Sequence, residues 1–73
     1  MKTLNLLSCG ETAYIKKLNI NGSMRRRFFD IGLINDTFVE CVAVSPMGDP
    51  KAFLVRGAVI AIRNKDSACI VVG

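Results

Sequence analysis

Ala52-Phe53-Leu54-Val55-Arg56-Gly57-Ala58-Val59-Ile60-Ala61-Ile62 decides how this chain is read. Two apolar arms flank a two-residue break, and the second residue of the break is glycine. A two-residue hairpin turn needs positive φ at its centre, which Gly57 supplies without a steric cost. Ala52 to Val55 and Ala58 to Ile62 are therefore expected to be paired strands. In the second arm Ala58, Ile60 and Ile62 alternate with Val59, Ala61 and Arg63, the period of two that a pleated strand imposes.

Working outward, Asn64 to Ser67 reads as a turn and Ala68 to Val72 as a closing strand. On the other side, Ser45-Pro46-Met47-Gly48-Asp49-Pro50 is a loop by composition. Before it, Phe38 to Val44 is apolar on both alternating faces. Val39, Cys41 and Ala43 fall on one, and Phe38, Val42 and Val44 on the other. Such a strand is expected at the centre of a sheet or between two layers. Thr12 to Leu18 is a further strand, opened by a turn at Gly10-Glu11 and broken by Asn19, Asn21 and Gly22. One helix is expected, from Ser23 to Ile31. Ser23 is a good N-cap, Met24, Phe28 and Ile31 share a core face, and Gly32 suits a left-handed C-terminal cap. Arg26 and Asp30 stand four apart on the opposite side and are placed to pair. The sum is a mainly β domain of about five strands and one short helix. Open edges invite aggregation, so a small SH3-like barrel is expected, with a split sandwich as the alternative.

The 73 residues allow a single domain, residues 1–73. An apolar fraction of 51% with 22% charged residues fits a folded globule. No stretch reaches the roughly 18 apolar residues of a membrane helix, so no direct membrane insertion is expected. Ten basic against six acidic residues leave a net charge of +4, a mild excess that suits an acidic partner, a nucleic acid, a membrane surface or an ordinary solvated surface. The three cysteines, Cys9, Cys41 and Cys69, are odd in number and widely spaced. That pattern suggests reduced thiols and a cytoplasmic location, with Cys41 and Cys69 as small core residues. Leu6-Leu7-Ser8-Cys9 imitates a lipoprotein cleavage box, but Thr3 and Asn5 interrupt the apolar region that a signal peptide requires.

Chemistry-bearing motifs are few. There is no histidine. The cysteines and carboxylates are unclustered, so neither a metal site nor a cofactor is expected. No phosphate-binding glycine loop and no nucleophile–base set is present, and no enzymatic activity is expected. Three features remain. Arg25-Arg26-Arg27 reads either as a contact patch or as a solvated helix face. Phe29 lies off the core face of the helix, where it would anchor a partner or pack under a loop. Pro46-Met47-Gly48-Asp49-Pro50 reads as a rigid turn, or as a contact loop tipped by Met47. Arg25, Arg26, Phe29, Met47 and Asp49 are therefore the candidate partner-binding residues, on one surface made by the helix and the proline loop.

These segments together resemble the ferrous iron transport protein A (FeoA) family. Gly10-Glu11-Thr12-Ala13 is similar to its early turn and first barrel strand. Arg25 to Leu33 resembles its helix with the following aspartate, apolar residue, glycine and apolar residue. Pro46 to Pro50 is similar to its proline loop, and Gly57, Ala61-Ile62-Arg63 and Asp66-Ser67-Ala68 to its last hairpin and closing strand. Asn35-Asp36 stands where the family often has proline and glycine, and Cys9 where proline is common. The resemblance implies an SH3-like barrel that acts by protein–protein contact on a membrane-embedded ferrous iron transporter with a cytoplasmic G domain (FeoB-type). The protein would then be a cytoplasmic accessory recruited to the inner face of the membrane by its partner. Two other readings stay open. One is a free-standing relative of the SH3-like domain of metal-dependent repressors, which follows a DNA-binding region that this sequence lacks. The other is a small basic RNA-binding barrel, which requires salt-sensitive nucleic-acid binding, although the scarcity of stacking rings argues against nucleic acid as a partner.

Overall fold

The Gly57 hairpin forms as its sequence demands. The structure, a computed structural model, describes residues 2–73. Gly57 has φ of +82° and Arg56 joins it in the left-handed region at +52°. The two arms are β4 (Lys51–Val55) and β5 (Ala58–Ile62), paired without a shift from Val55↔Ala58 to Lys51↔Ile62. Around them the chain runs β1 (Lys2–Thr3), a 3₁₀ turn (Leu4–Leu6), β2 (Thr12–Leu18), α1 (Gly22–Asp30) and β3 (Phe38–Val44) before the hairpin. After it come α2 (Asn64–Ser67) and β6 (Ile70–Val72). All pairings are antiparallel, in one sheet of order β1-β6-β2-β3-β4-β5.

The sheet curls around one core. Ala13, Ile15, Leu18, Val39, Cys41, Phe53, Val55, Ile62, Ile70 and Val72 face inward from five strands. Two register shifts bend it, one in β2 against β6 between Ile15 and Lys17, the other in β3 against β4 between Cys41 and Ala43. Each inserts an unpaired residue and sharpens the local twist, as curling requires. The outer strands β1 and β5 do not pair, so the barrel is not closed by a ladder. Instead the 3₁₀ turn after β1 buries Leu4 and the following Leu7 completely. The Lys51 ammonium at the start of β4 donates to the carbonyls of Asn5 at 2.6 Å and Leu7 at 2.9 Å. The expected mainly β, SH3-like class is what is found.

Several expectations are corrected. Among the described residues the strands number six rather than five, because the two-residue β1 is too short to carry a readable alternation. The segment from Asn64 to Ser67 is a helical turn, so β6 starts at Ile70 rather than Ala68. The helix starts at Gly22, so Ser23 lies inside its first turn. Asn21 is the N-cap and makes no side-chain cap bond. In β3 the bulge after Cys41 breaks the alternation. Val39 and Cys41 are fully buried, while Ala43 turns out to solvent. β3 is central in the sheet, but its outer face is uncovered, with Phe38 49% exposed. Cys69 is only half-buried and Cys9 is exposed.

The helix end is as expected. The Gly32 N–H donates to Phe29 O at 3.1 Å, and the Leu33 N–H to Phe28 O at 2.9 Å. This is the Schellman arrangement, with Gly32 at φ of +101°. Phe28 and Leu33 are both buried, the apolar contact that accompanies it.

Glu11 explains the Gly10-Glu11 turn. Its carboxylate accepts from the Ser8 N–H at 2.7 Å, while its own N–H donates to Ser8 O at 2.9 Å. The Ser8 N–H, and then Lys2, hold the Glu11 carboxyl below the ordinary glutamate pKa. A depressed carboxyl pKa adds stability above the unfolded-state value and loses it as pH falls through the folded-state value. Glu11→Gln, which keeps an acceptor oxygen, will therefore be less stable than the parent at neutral pH. The gap will close on acidification through the carboxylate range, as read by melts across a pH series.

Candidate interaction surface

α1 has two working faces. Phe28 is buried, and Met24 and Ile31 pack against the core beside it. The face turned away carries Arg25, Arg26 and Phe29, which with Gly22 and Asp30 line a shallow hollow of about 320 Å³. Arg25 and Phe29 also line a second hollow of about 260 Å³ with Lys16, Lys17, Leu18 and Asn35. These two side chains thus form a ridge between two depressions. Phe29 is 53% exposed, so it does not pack under a loop.

The three basic residues of the run differ in what they do. Arg25 Nη1 donates to the Leu18 carbonyl at 3.0 Å, which ties the helix to the end of β2. Arg26 is exposed and does not pair with Asp30: among the described residues the ion pair is Lys16–Asp36, at 3.4 Å. Arg27 is exposed in the last turn, where a cation suits the carbonyl end of the helix.

Met47 and Asp49 lie elsewhere. The segment that leaves α1 enters β3 at Phe38, whereas the proline loop leaves β3 at Val44. At about 3.3 Å per residue the two connections are separated by the length of the strand. Met47 is 91% exposed at the loop tip. Asp49 Oδ1 accepts from the Asn64 N–H at 2.8 Å, and Asn64 Nδ2 donates to Gly48 O at 2.9 Å. Asp49 therefore fastens the loop to the start of α2 and leaves Met47 projecting. The single surface expected from the sequence is two places: the α1 ridge and the Met47 tip.

A third feature was missed. Ile34 to Phe38, with Glu40, Leu54, Arg56 and Gly57, line a groove of about 460 Å³ between the α1–β3 connection and the hairpin. Tyr14 and Phe38 meet edge-to-face beside it, with ring centroids 5.3 Å apart. The signal in the sequence is the apolar outer row of β3, which fits a central strand with an open outer face as well as one between two layers. Burial raises the Cys41 thiol pKa, with Cys9 nearby adding to the shift, so Cys41 stays a neutral core group. Among the described residues no three His, Cys, Asp or Glu side chains gather where they could hold a metal ion.

Comparison with known families gives a match to the FeoA domain over residues 2–73. The chain belongs to the FeoA family. Its association is therefore with ferrous iron transport, and solved FeoA structures share the fold. The solution structure of FeoA from Chlorobium tepidum superposes with a TM-score of 0.92 at 25% identity, covering 97% of this chain and 68% of that one. Iron(II) transport protein A from Clostridium thermocellum gives 0.92 at 28% identity, covering 97% of this chain and 44% of that one. Stenotrophomonas maltophilia FeoA, crystallised with zinc, gives 0.83 at 26% identity, covering 100% and 91%. That protein is described as a prokaryotic SH3 domain protein and a candidate activating factor for bacterial ferrous iron transport. No curated protein matched the chain. No helix of this FeoA-family chain, among the described residues, is long and apolar enough to cross a membrane.

Proposed function

We infer that this chain is a non-enzymatic, cytoplasmic accessory of ferrous iron uptake that binds the G-domain-containing transporter through the outer face of α1. The observation that carries the reading is Phe29, an aromatic ring left 53% exposed between arginines while the opposite face of the same helix satisfies the core. Aromatic and arginine side chains are the types that dominate interface energies. Arg25 is already anchored to β2, so it presents its stem and part of its guanidinium without further ordering, whereas Arg26 is free to meet a carboxylate or phosphate. Met47 is a second contact point, held out by the loop that Asp49 secures. Membership in a ferrous iron transport family and the activating role suggested for the Stenotrophomonas protein support the same partner.

The test is co-purification of the transporter on the tagged chain from detergent extracts, with and without guanine nucleotide. Arg26→Ala and Phe29→Ala, each with an unchanged melt, will lower recovery by about tenfold or more, the effect of losing an interface anchor worth roughly 1.4–2 kcal/mol. Met47→Asp will lower it by less. Recovery of both folded α1 variants at the parental level excludes this face.

A further inference from the structure

The two edges of the sheet are treated differently. β1 is two residues long, the usual way of blunting an edge. β5 is five residues long, Ala58-Val59-Ile60-Ala61-Ile62, and has a neighbour on one side only. It carries no charge and no proline, and its register against β4 has no bulge. Charge, proline and bulge, three of the common protections of an edge, are therefore absent from it.

The pairing register identifies the free groups. Val55 and Ala58 flank the two-residue turn and so exchange hydrogen bonds, as do Phe53 with Ile60 and Lys51 with Ile62 in the same alternation. The N–H and C=O groups of Val59 and Ala61 therefore point away from the sheet. Both residues are exposed, Val59 at 65%. Arg56 stands just before the strand and Arg63 just after it. Both are exposed, and neither forms an ion pair among the described residues, although Asp36 and Glu40 share the groove with Arg56.

We propose that β5 is a strand-addition site for an extended segment of another protein, one with an apolar middle and a carboxylate at each end. Val59 and Ala61 supply four backbone hydrogen-bonding groups, and Arg56 and Arg63 select the ends. Strand addition takes affinity from the backbone and specificity from flanking side chains. A second copy of this chain fits the backbone but not the charge. Antiparallel pairing centred on Ile60 directs Arg63 of each copy toward the Arg56–Gly57 turn of the other, in a chain of net charge +4 with no carboxylate in the strand. The site is separate from the α1 face, and the inference stands on β5 alone, whichever protein supplies the segment.

The experiment is a titration of the full chain with the peptide Glu-Val-Thr-Val-Thr-Val-Glu, followed by amide NMR. Its carboxylates are six residues apart, about 20 Å in a strand and near the span from Gly57 to Arg63. The amides of Val59 and Ala61 will shift most, and affinity will fall as salt rises. The analogue with lysine at both ends will bind at least about tenfold more weakly. Ala61→Pro removes an outward N–H without touching the β4 ladder and will abolish the shifts. Should that variant fail to fold, the double variant Arg56→Asp, Arg63→Glu must reverse the preference between the two peptides. Shifts absent at millimolar peptide, shifts confined to α1, or equal binding of both peptides would each overturn the proposal. So would a dimer in sedimentation with β5 amides protected, which would make a second copy the occupant.

Discussion

Gly32→Val will lower the melting temperature more than any surface substitution in this domain. Gly32 sits at φ of +101°, a conformation that a β-branched residue adopts only under strain. Its neighbourhood adds a second penalty, since a Cβ there falls 2.7 Å from Cδ of Arg56. The arginine can swing aside, so the backbone strain dominates. Strain of this kind costs on the order of 1–3 kcal/mol. Lost closure of the helix end adds to it, because the bonds from Gly32 and Leu33 back to Phe29 and Phe28 depend on that conformation. For so small a domain about 2–3 kcal/mol corresponds to roughly 10–20 °C. Gly32→Asn, a residue type that tolerates left-handed geometry better, will lose less. Equal melts for parent and Gly32→Val would show that the Schellman closure contributes nothing.

Lys51→Met will be the second large loss, for a reason invisible in the sequence. The ammonium satisfies two carbonyls, Asn5 at 2.6 Å and Leu7 at 2.9 Å, from a segment whose neighbours Leu4 and Leu7 are fully buried. Methionine fills a similar volume and leaves both carbonyls without their charged donor. Hydrogen bonds to charged groups contribute roughly 1.5–3 kcal/mol, and partial solvent access at Lys51 places the expected loss toward the lower end. The signature is local as well as global. Amide exchange in β1 and the 3₁₀ turn will quicken more than exchange in the β3–β4 ladder. Lys51→Arg will recover part of the loss.

Much of the fold was legible because it rests on short-range rules. The Arg56-Gly57 break, the Ser23–Ile31 region with its Gly32 stop and the apolar arms of β4 and β5 each specify a local conformation with their own residues. The FeoA resemblance rested on the same punctuation. The candidate site was only half legible. That Phe29 does not belong to the core follows from helical spacing, but its exposure depends on which loops pass over it. Arg26 and Asp30 had the right separation for a pair, yet nothing in the sequence distinguishes a pair that forms from one that stays solvated.

By itself the sequence determined the hairpin, the helix and its end, and the mainly β class of the chain. Turn chemistry and side-chain period act over two to four residues, so one sequence contains all the information they need. Tertiary structure decided the rest. The bulge after Cys41 turned Ala43 out of the core row of β3, because curling a short sheet needs a bend that periodicity does not announce. Lys51 became a clasp for the barrel gap, and Asp49 a fastening for α2, through partners 44 and 46 residues away in the first case and 15 in the second. Met47 and Phe29 were separated by the length of β3, although both looked like parts of one surface. Which strand remained an unprotected edge was likewise a matter of sheet order. In each case the deciding contact joins residues distant in the chain, where sequence neighbours carry no record of the pairing.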